Sequence, residues 1–198
     1  MRSLGTAQNM NSIQIRDVTE ADFVRIVALN QAEVAHTSPM DRADIARLHD
    51  FSAYHTVITV DDVIAGFLLV MGPKSGYIND NYGWFKKHYN DFMYIDRIVL
   101  DIDYQGKQLG HALYRDLFSF AQQHGCQYVV CEHNVEPSNI PSAKFHQRLG
   151  FVEVGSQWLP GGKVAIFNDK ADTAPALQVE NHGGQKKVSM QCCQLVSQ

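Results

Sequence analysis

Asp103-Tyr104-Gln105-Gly106-Lys107-Gln108-Leu109-Gly110-His111-Ala112-Leu113 joins a β-rich run at residues 92–100 to a helical pattern at 107–124. In that pattern Leu109, Ala112, Leu113, Leu117, Phe120 and Ala121 recur at spacings of three and four, the stripe of a helix laid on a sheet. Gly125 supplies its stop. A strand that passes through a glycine-bearing turn into a helix leaves the first helical N–H groups unpaired, with the positive end of the helix dipole behind them. Such a turn is an anion site, and its glycines let phosphate oxygens approach the backbone. The stretch lacks the Gly-Lys-Ser/Thr ending of a P-loop and the Gly-x-Gly-x-x-Gly spacing of a dinucleotide fingerprint, which turns the reading away from nucleotide hydrolysis and hydride transfer. By themselves, two glycines leave open a purely structural strand-to-helix connection.

Upstream, residues 12–18 predict a first strand, Thr19 opens a helix that ends near Gln31, and 41–49 predicts a second. Residues 54–60 and 63–71 form a hairpin about Asp61-Asp62. Residues 72–91 read as a long polar and aromatic loop with a short helical turn at Trp84-Phe85-Lys86-Lys87. Downstream, 127–131 predicts a fifth strand, 142–149 a short helix, 151–158 a sixth strand and 187–195 a last one. Between these last two, 160–185 is an irregular insertion around a strand-like stretch at 164–167, and residues 1–11 are an N-terminal extension to one domain over 12–198.

Composition narrows the class. Of the 198 residues 45% are hydrophobic and 19% charged, which excludes disordered, collagen-like and coiled-coil chains. A net charge of −4 gives no broad basic field for nucleic acid or an anionic membrane. The apolar run at 64–71 is far too short to span a bilayer and the N-terminus has no apolar signal core, so the expected location is the cytoplasm. There Cys126, Cys131, Cys192 and Cys193 are expected as reduced thiols, and no His-x-x-x-His pair on a predicted helix points to a metal.

The turn resembles the acetyl-CoA motif of the GNAT superfamily of N-acetyltransferases, Gln/Arg-x-x-Gly-x-Gly/Ala, with Gln105 first and Gly110 last; Gln108 stands where the family usually has glycine. Downstream, Asn139, Ser142, Phe145, His146, Gly150 and Phe151 match the spacing of a second family signature, with Ser142 for alanine and His146 for tyrosine. The resemblance covers residues 12–158. Segments such as Tyr94-Ile95-Asp96-Arg97-Ile98-Val99 and Pro137-Ser138-Asn139-Ile140-Pro141-Ser142 resemble a bacterial branch that brings no particular acceptor with it. The resemblance implies an α/β fold: a mixed, mostly antiparallel sheet of about seven strands flanked by helices and splayed at strands four and five.

It also implies roles. Gln105, Gly106, Lys107, Gln108, Leu109, Gly110 and His111 would bind the CoA pyrophosphate through their amides. Ile98, Val99 and Leu100 would pair with the pantetheine arm, and Asn139 and Phe145 would line it. Acetyl transfer to an amine needs a proton acceptor, because an amine with a pKa near 10.4 is almost fully protonated at neutral pH. Asp96 and Glu132 are the candidate bases; Asp96 has the alternative of a structural ion pair with Arg97. His146, at the family's usual tyrosine, is a candidate acid for the leaving thiolate or a packed helix residue. Asn30 and Glu33 could meet a polar acceptor, and Tyr82, Trp84 and Tyr94 could form an aromatic wall. The expected activity is acetylation of a primary amine on a small acceptor by direct attack, since no cysteine lies in a nucleophile motif. A non-catalytic acyl-CoA sensor and a protein N-acetyltransferase are the alternatives; the insertion at 72–91, expected to cover the site, weighs against the latter. A homodimer paired through the final strand is a further expectation.

Overall fold

The computed structural model describes residues 12–34, 37–159 and 186–195. Strands β1 (Ile13–Asp17), β2 (Ser52–Val60), β3 (Val63–Met71) and β4 (Phe92–Leu100) form an antiparallel meander. β5 (Tyr128–Glu136) lies parallel to β4, and β7 (Lys186–Gln194) inserts antiparallel between β5 and β6 (Val152–Leu159). The sheet order is β1-β2-β3-β4-β5-β7-β6. This is the expected mixed α/β sheet of seven strands. Both edges of β7 are taken up within its own chain, so the cross-chain pairing expected of the final strand has no free ladder to use.

Helices cover both faces, which is why the central strands read as apolar runs with little alternation. On one face α1 (Phe23–Ala32), α2 (Arg42–Phe51) and α3 (Asp80–His88) bury Ile26, Ile45, Leu48 and Phe85 against Phe67, Leu69 and Tyr94. On the other, α4 (Leu109–Gln123) sets Leu109, Leu113, Leu117 and Ala121, spaced by four, against Leu68, Val70 and Val129. α5 (Ile140–Arg148) packs beside α4 through Phe145.

Two elements differ from the sequence expectation. Residues 80–88 form a nine-residue helix instead of a loop. Its start is fixed by Asn79, whose side chain accepts from the N–H of Asn81 at 2.9 Å and of Tyr82 at 3.3 Å. Tyr82 and Phe85, three apart, turn into the core, and Lys86, Lys87 and His88 sit at the negative end of the dipole. β5, expected to stop at Cys131, runs on to Glu136 because β7 continues to pair with it after β4 has left. The strand-like stretch at 164–167, the insertion at 160–185 and the extension at 1–11 lie outside the described residues.

β4 holds the feature on which the site is built. Leu69 pairs with Arg97 and Val70 with Ile95, so Asp96 is an extra residue, a β-bulge. Alternation is broken there: Ile95 and Ile98 face the α4 side, while Asp96 and Arg97 both reach groups on the α1–α3 side. Pairing with β5 is confined to Phe92, Met93 and Tyr94, opposite Tyr128, Val129 and Val130. Beyond that the two strands diverge.

Replacing the α3 cap, Asn79→Ala, is expected to lower the unfolding free energy by about 1 kcal/mol. A urea denaturation midpoint equal to that of the parent would show that the cap does not hold the helix.

Candidate functional site

The turn after β4 begins with Asp101, whose carboxylate accepts from the N–H of Asp103 at 3.0 Å and pairs with Arg25 at 2.5 Å, closing a short 3-10 turn at Ile102–Tyr104. Gly106 then takes φ +74° and Gln108 φ +61°, and α4 starts at Leu109. Among the described residues the backbone N–H groups of residues 106–111 make no hydrogen bond, which leaves six donors at the positive end of a 15-residue helix. Gln108 occupies the left-handed region that glycine adopts at little cost, which accounts for the glycine usual at this position: the side chain is strained, but the path of the turn is kept. Gly110 serves packing. A Cβ there would stand 3.1 Å from Phe145 Cζ and 3.6 Å from Leu100 Cδ1, so its absence lets α5 close on α4. Gln105 turns back, its Nε2 donating to the Leu100 carbonyl at 3.3 Å and reaching Glu33 Oε1 at 3.5 Å. Lys107 lies over the Tyr104 ring.

Where β4 and β5 diverge there is a cavity of about 110 Å³, lined from β4 by Asp96, Arg97 and Ile98 and from β5 by Cys131, Glu132, His133 and Asn134. On the α1–α3 side its charges are tied down. Asp96 Oδ1 accepts the Tyr77 hydroxyl at 2.5 Å, and Oδ2 accepts Arg97 Nε at 2.6 Å. Arg97 Nη1 donates to Asn30 Oδ1 at 2.9 Å and approaches Met40 Sδ at 3.6 Å. Burial works against the guanidinium charge, but Asp96 together with Tyr77 and Tyr94 outweighs it and raises the Arg97 pKa. The Tyr94 hydroxyl donates to Glu132 Oε2 at 2.9 Å. Burial foremost, with the neighbouring carboxylates, holds Tyr77 and Tyr94 well above the usual phenol range, so both remain donors.

On the α4–α5 side, His146 Nδ1 lies 2.9 Å from the Ser142 carbonyl, which only accepts, so Nδ1 carries the proton. Nε2 then accepts the Tyr114 hydroxyl at 2.7 Å. Burial lowers the His146 pKa to about 4 against the helping bond to Ser142, and the imidazole is neutral at pH 7. His133 stacks nearly parallel on it with centroids 6.3 Å apart, and its buried Nδ1 has no partner among the described residues. Asn139 caps α5, accepting from Ser142 N at 3.2 Å.

Of the residues expected from sequence, the structure gathers Asp96, Glu132, Ile98, Asn139 and His146 around one cavity. Val99 is buried in the core of the α1–α3 side and Leu100 packs against the opposite core, so these two offer backbone only. Tyr82 and Tyr94 are fully buried, Trp84 stacks on His88, and none of the three lines the cavity. Tyr82 does pack edge-on against Tyr94, but within the core of the α1–α3 side, where the 72–91 segment also contributes Tyr77 and Phe85. Asn30 is also buried and acts through Arg97, while Glu33 stands beside Gln105. Sequence reasoning missed Tyr77, Tyr114 and His133. Tyr114 follows Gly110 by one helical turn and could have been found there. Tyr77 lay among several aromatic residues with no period to single it out, and His133 lay past the assumed end of β5. The four cysteines are free thiols, and among the described residues no cluster of three or more His, Cys, Asp or Glu is arranged to hold a metal.

The comparisons agree with this geometry. A model described as the acetyltransferase (GNAT) family matches residues 15–151. The chain belongs to that family, which makes acyl transfer its class and acetyl-CoA the family's acyl donor. No curated protein matches the chain. Among solved structures, yncA from Salmonella typhimurium, determined with its cofactor acetyl-CoA, is 18% identical with a TM-score of 0.64, covering 94% of this chain and 96% of that one. Ard1 from Thermoplasma volcanium is 16% identical at TM-score 0.65 (93% and 99% covered). The ribosomal-protein-S18-alanine N-acetyltransferase from Escherichia coli is 14% identical at TM-score 0.63 (94% and 96% covered). At these identities the likeness is one of fold. The six unpaired amides and the unpaired edge of β4 fit the pyrophosphate and the amide-bearing arm of acetyl-CoA.

Relieving the left-handed side chain, Gln108→Gly, should raise stability by about 1 kcal/mol; a lower denaturation midpoint would refute the strain. His146 is buried neutral with a folded pKa of about 4 against about 6.5 when unfolded. Its contribution is therefore complete above pH 6.5 and is lost as pH falls through 4, a decline of about 3 kcal/mol. His55, lowered by burial to about 3, adds to the same slope. His146→Gln should flatten the curve of unfolding free energy between pH 6.5 and 4, and an unaltered slope would count against the buried neutral ring.

Proposed function

We propose that the protein is an N-acetyltransferase that passes the acetyl group of acetyl-CoA to a primary amine of a small acceptor by direct attack. The observation that carries this reading is Glu132: a carboxylate on the cavity between the diverging strands, beside the edge that β4 leaves unpaired. Bound acetyl-CoA supplies a thioester carbonyl open to an amine. The new N–C bond replaces the C–S bond, Glu132 accepts the proton given up by the amine, and the sulfur leaves as a thiol after taking a proton from solvent. The amides of residues 106–111 hold the pyrophosphate, and a backbone N–H of β4 between Asp96 and Leu100 stabilises the charge that builds on the carbonyl oxygen.

Asp96 serves this reading as the partner of Arg97, since both of its oxygens accept bonds within the protein. His146 enters as a neutral positioning group for the Tyr114 hydroxyl, because an imidazole with a pKa of about 4 carries no spare proton at pH 7. That same observation favours a second reading, a non-catalytic acyl-CoA sensor.

Calorimetry with acetyl-CoA followed by thiol release over a panel of amines tests the two readings. Turnover is expected for the enzyme, and binding without turnover would establish the sensor. Glu132→Gln should lower kcat roughly 10²- to 10⁴-fold while leaving acetyl-CoA affinity unchanged. A variant with parental kcat would remove Glu132 from the chemistry.

A further inference from the structure

We infer that the acceptor is an α-amino acid, and that Arg97 reads its carboxylate while Glu132 takes its amine. The inference rests on the acetyl-transfer reading above and adds the chemical class of the acceptor.

The guanidinium of Arg97 is fixed on two of its nitrogens. Nε is bound by Asp96, itself held by Tyr77, and Nη1 is bound by Asn30, whose Nδ2 in turn donates to the Ser38 carbonyl at 2.8 Å. The third nitrogen, Nη2, makes no hydrogen bond among the described residues, and Arg97 lines the cavity. The residue is only 8% exposed. Nη2 is not among the fully buried polar atoms without a partner, so water in the cavity reaches it, and a carboxylate that replaces this water makes charge-assisted bonds, the strong kind. Because the other two nitrogens are already held, little order remains to be lost when the third is engaged.

The cavity presents both signs, a guanidinium from β4 at Arg97 and a carboxylate from β5 at Glu132. A simple amine offers the Nη2 donors no acceptor. An α-amino acid presents a group to each, its ammonium toward Glu132 before deprotonation and its carboxylate toward Arg97.

The test compares, on the intact protein with saturating acetyl-CoA, each amino acid with the amine left when its carboxylate is removed: alanine with ethylamine, serine with ethanolamine. The expected result is a kcat/KM for the amino acid roughly ten- to a hundred-fold above that of its amine, carried mainly by KM. Arg97→Lys, checked for parental acetyl-CoA affinity and thermal midpoint, should bring the two within a few-fold of each other. Equal kcat/KM for the members of each pair in the parent protein would overturn the inference while leaving N-acetylation standing. Acetyl-CoA binding with no amine or amino acid turned over would overturn both.

Discussion

β4 can serve β3 along its whole length or β5 along its whole length, but the extra residue at Asp96 prevents both. The bulge keeps register with β3 through to Leu100 while the pairing with β5 ends at Tyr94. A bulge adds local right-handed twist and bends its strand, and here the bend turns β4 away from a neighbour that β7 holds in place from the other side. The gap is thus a consequence of one residue on one strand. It exposes backbone polar groups in the middle of a buried sheet, a situation that costs free energy unless a ligand or water supplies partners, and it is where the cavity lies.

The same residue decides the electrostatics. By putting Asp96 and Arg97 on one face, the bulge turns adjacent side chains that would otherwise point apart into a bonded pair. Desolvating two such charges costs several kcal/mol, which the pair alone does not return with certainty of profit. Tyr77 and Asn30 add bonds to both partners, and the arrangement is better understood as orientation than as stabilisation: it fixes a guanidinium beside the gap.

The regular parts of the fold were legible in the sequence because their periods differ. β-rich runs at 54–60 and 63–71 about Asp61-Asp62 marked the central hairpin, and the four-residue spacing of Leu109, Leu113 and Leu117 marked α4. Asp96, Glu132 and His146, expected from local pattern and resemblance, line the cavity. What escaped depends on partners distant in sequence. The length of β5 is set by β7, some 55 residues on; the bulge is visible only against Leu69 and Val70; and Tyr77 becomes part of the site only because Asp96 turns to its side. α3 was missed for a local reason, since Gly83 and the polar residues around it weaken the helical pattern that Asn79 nonetheless starts.

The two faces of the sheet divide the chemistry that acetyl transfer requires. The six free amides, Tyr114 and His146 belong to the α4–α5 face; Asp96, Arg97, Glu132, Asn30 and Tyr77 belong to the α1–α3 face. In an unbroken sheet these sets would be separated by a layer of hydrogen-bonded backbone. The divergence of β4 and β5 removes that layer over the few residues after Tyr94 and Val130, and the cavity is lined from both sides at once. A donor lodged from one face and an acceptor from the other can then meet within the gap. That geometry suits direct attack better than a relay through an acyl-enzyme, because neither partner has to leave before the other arrives.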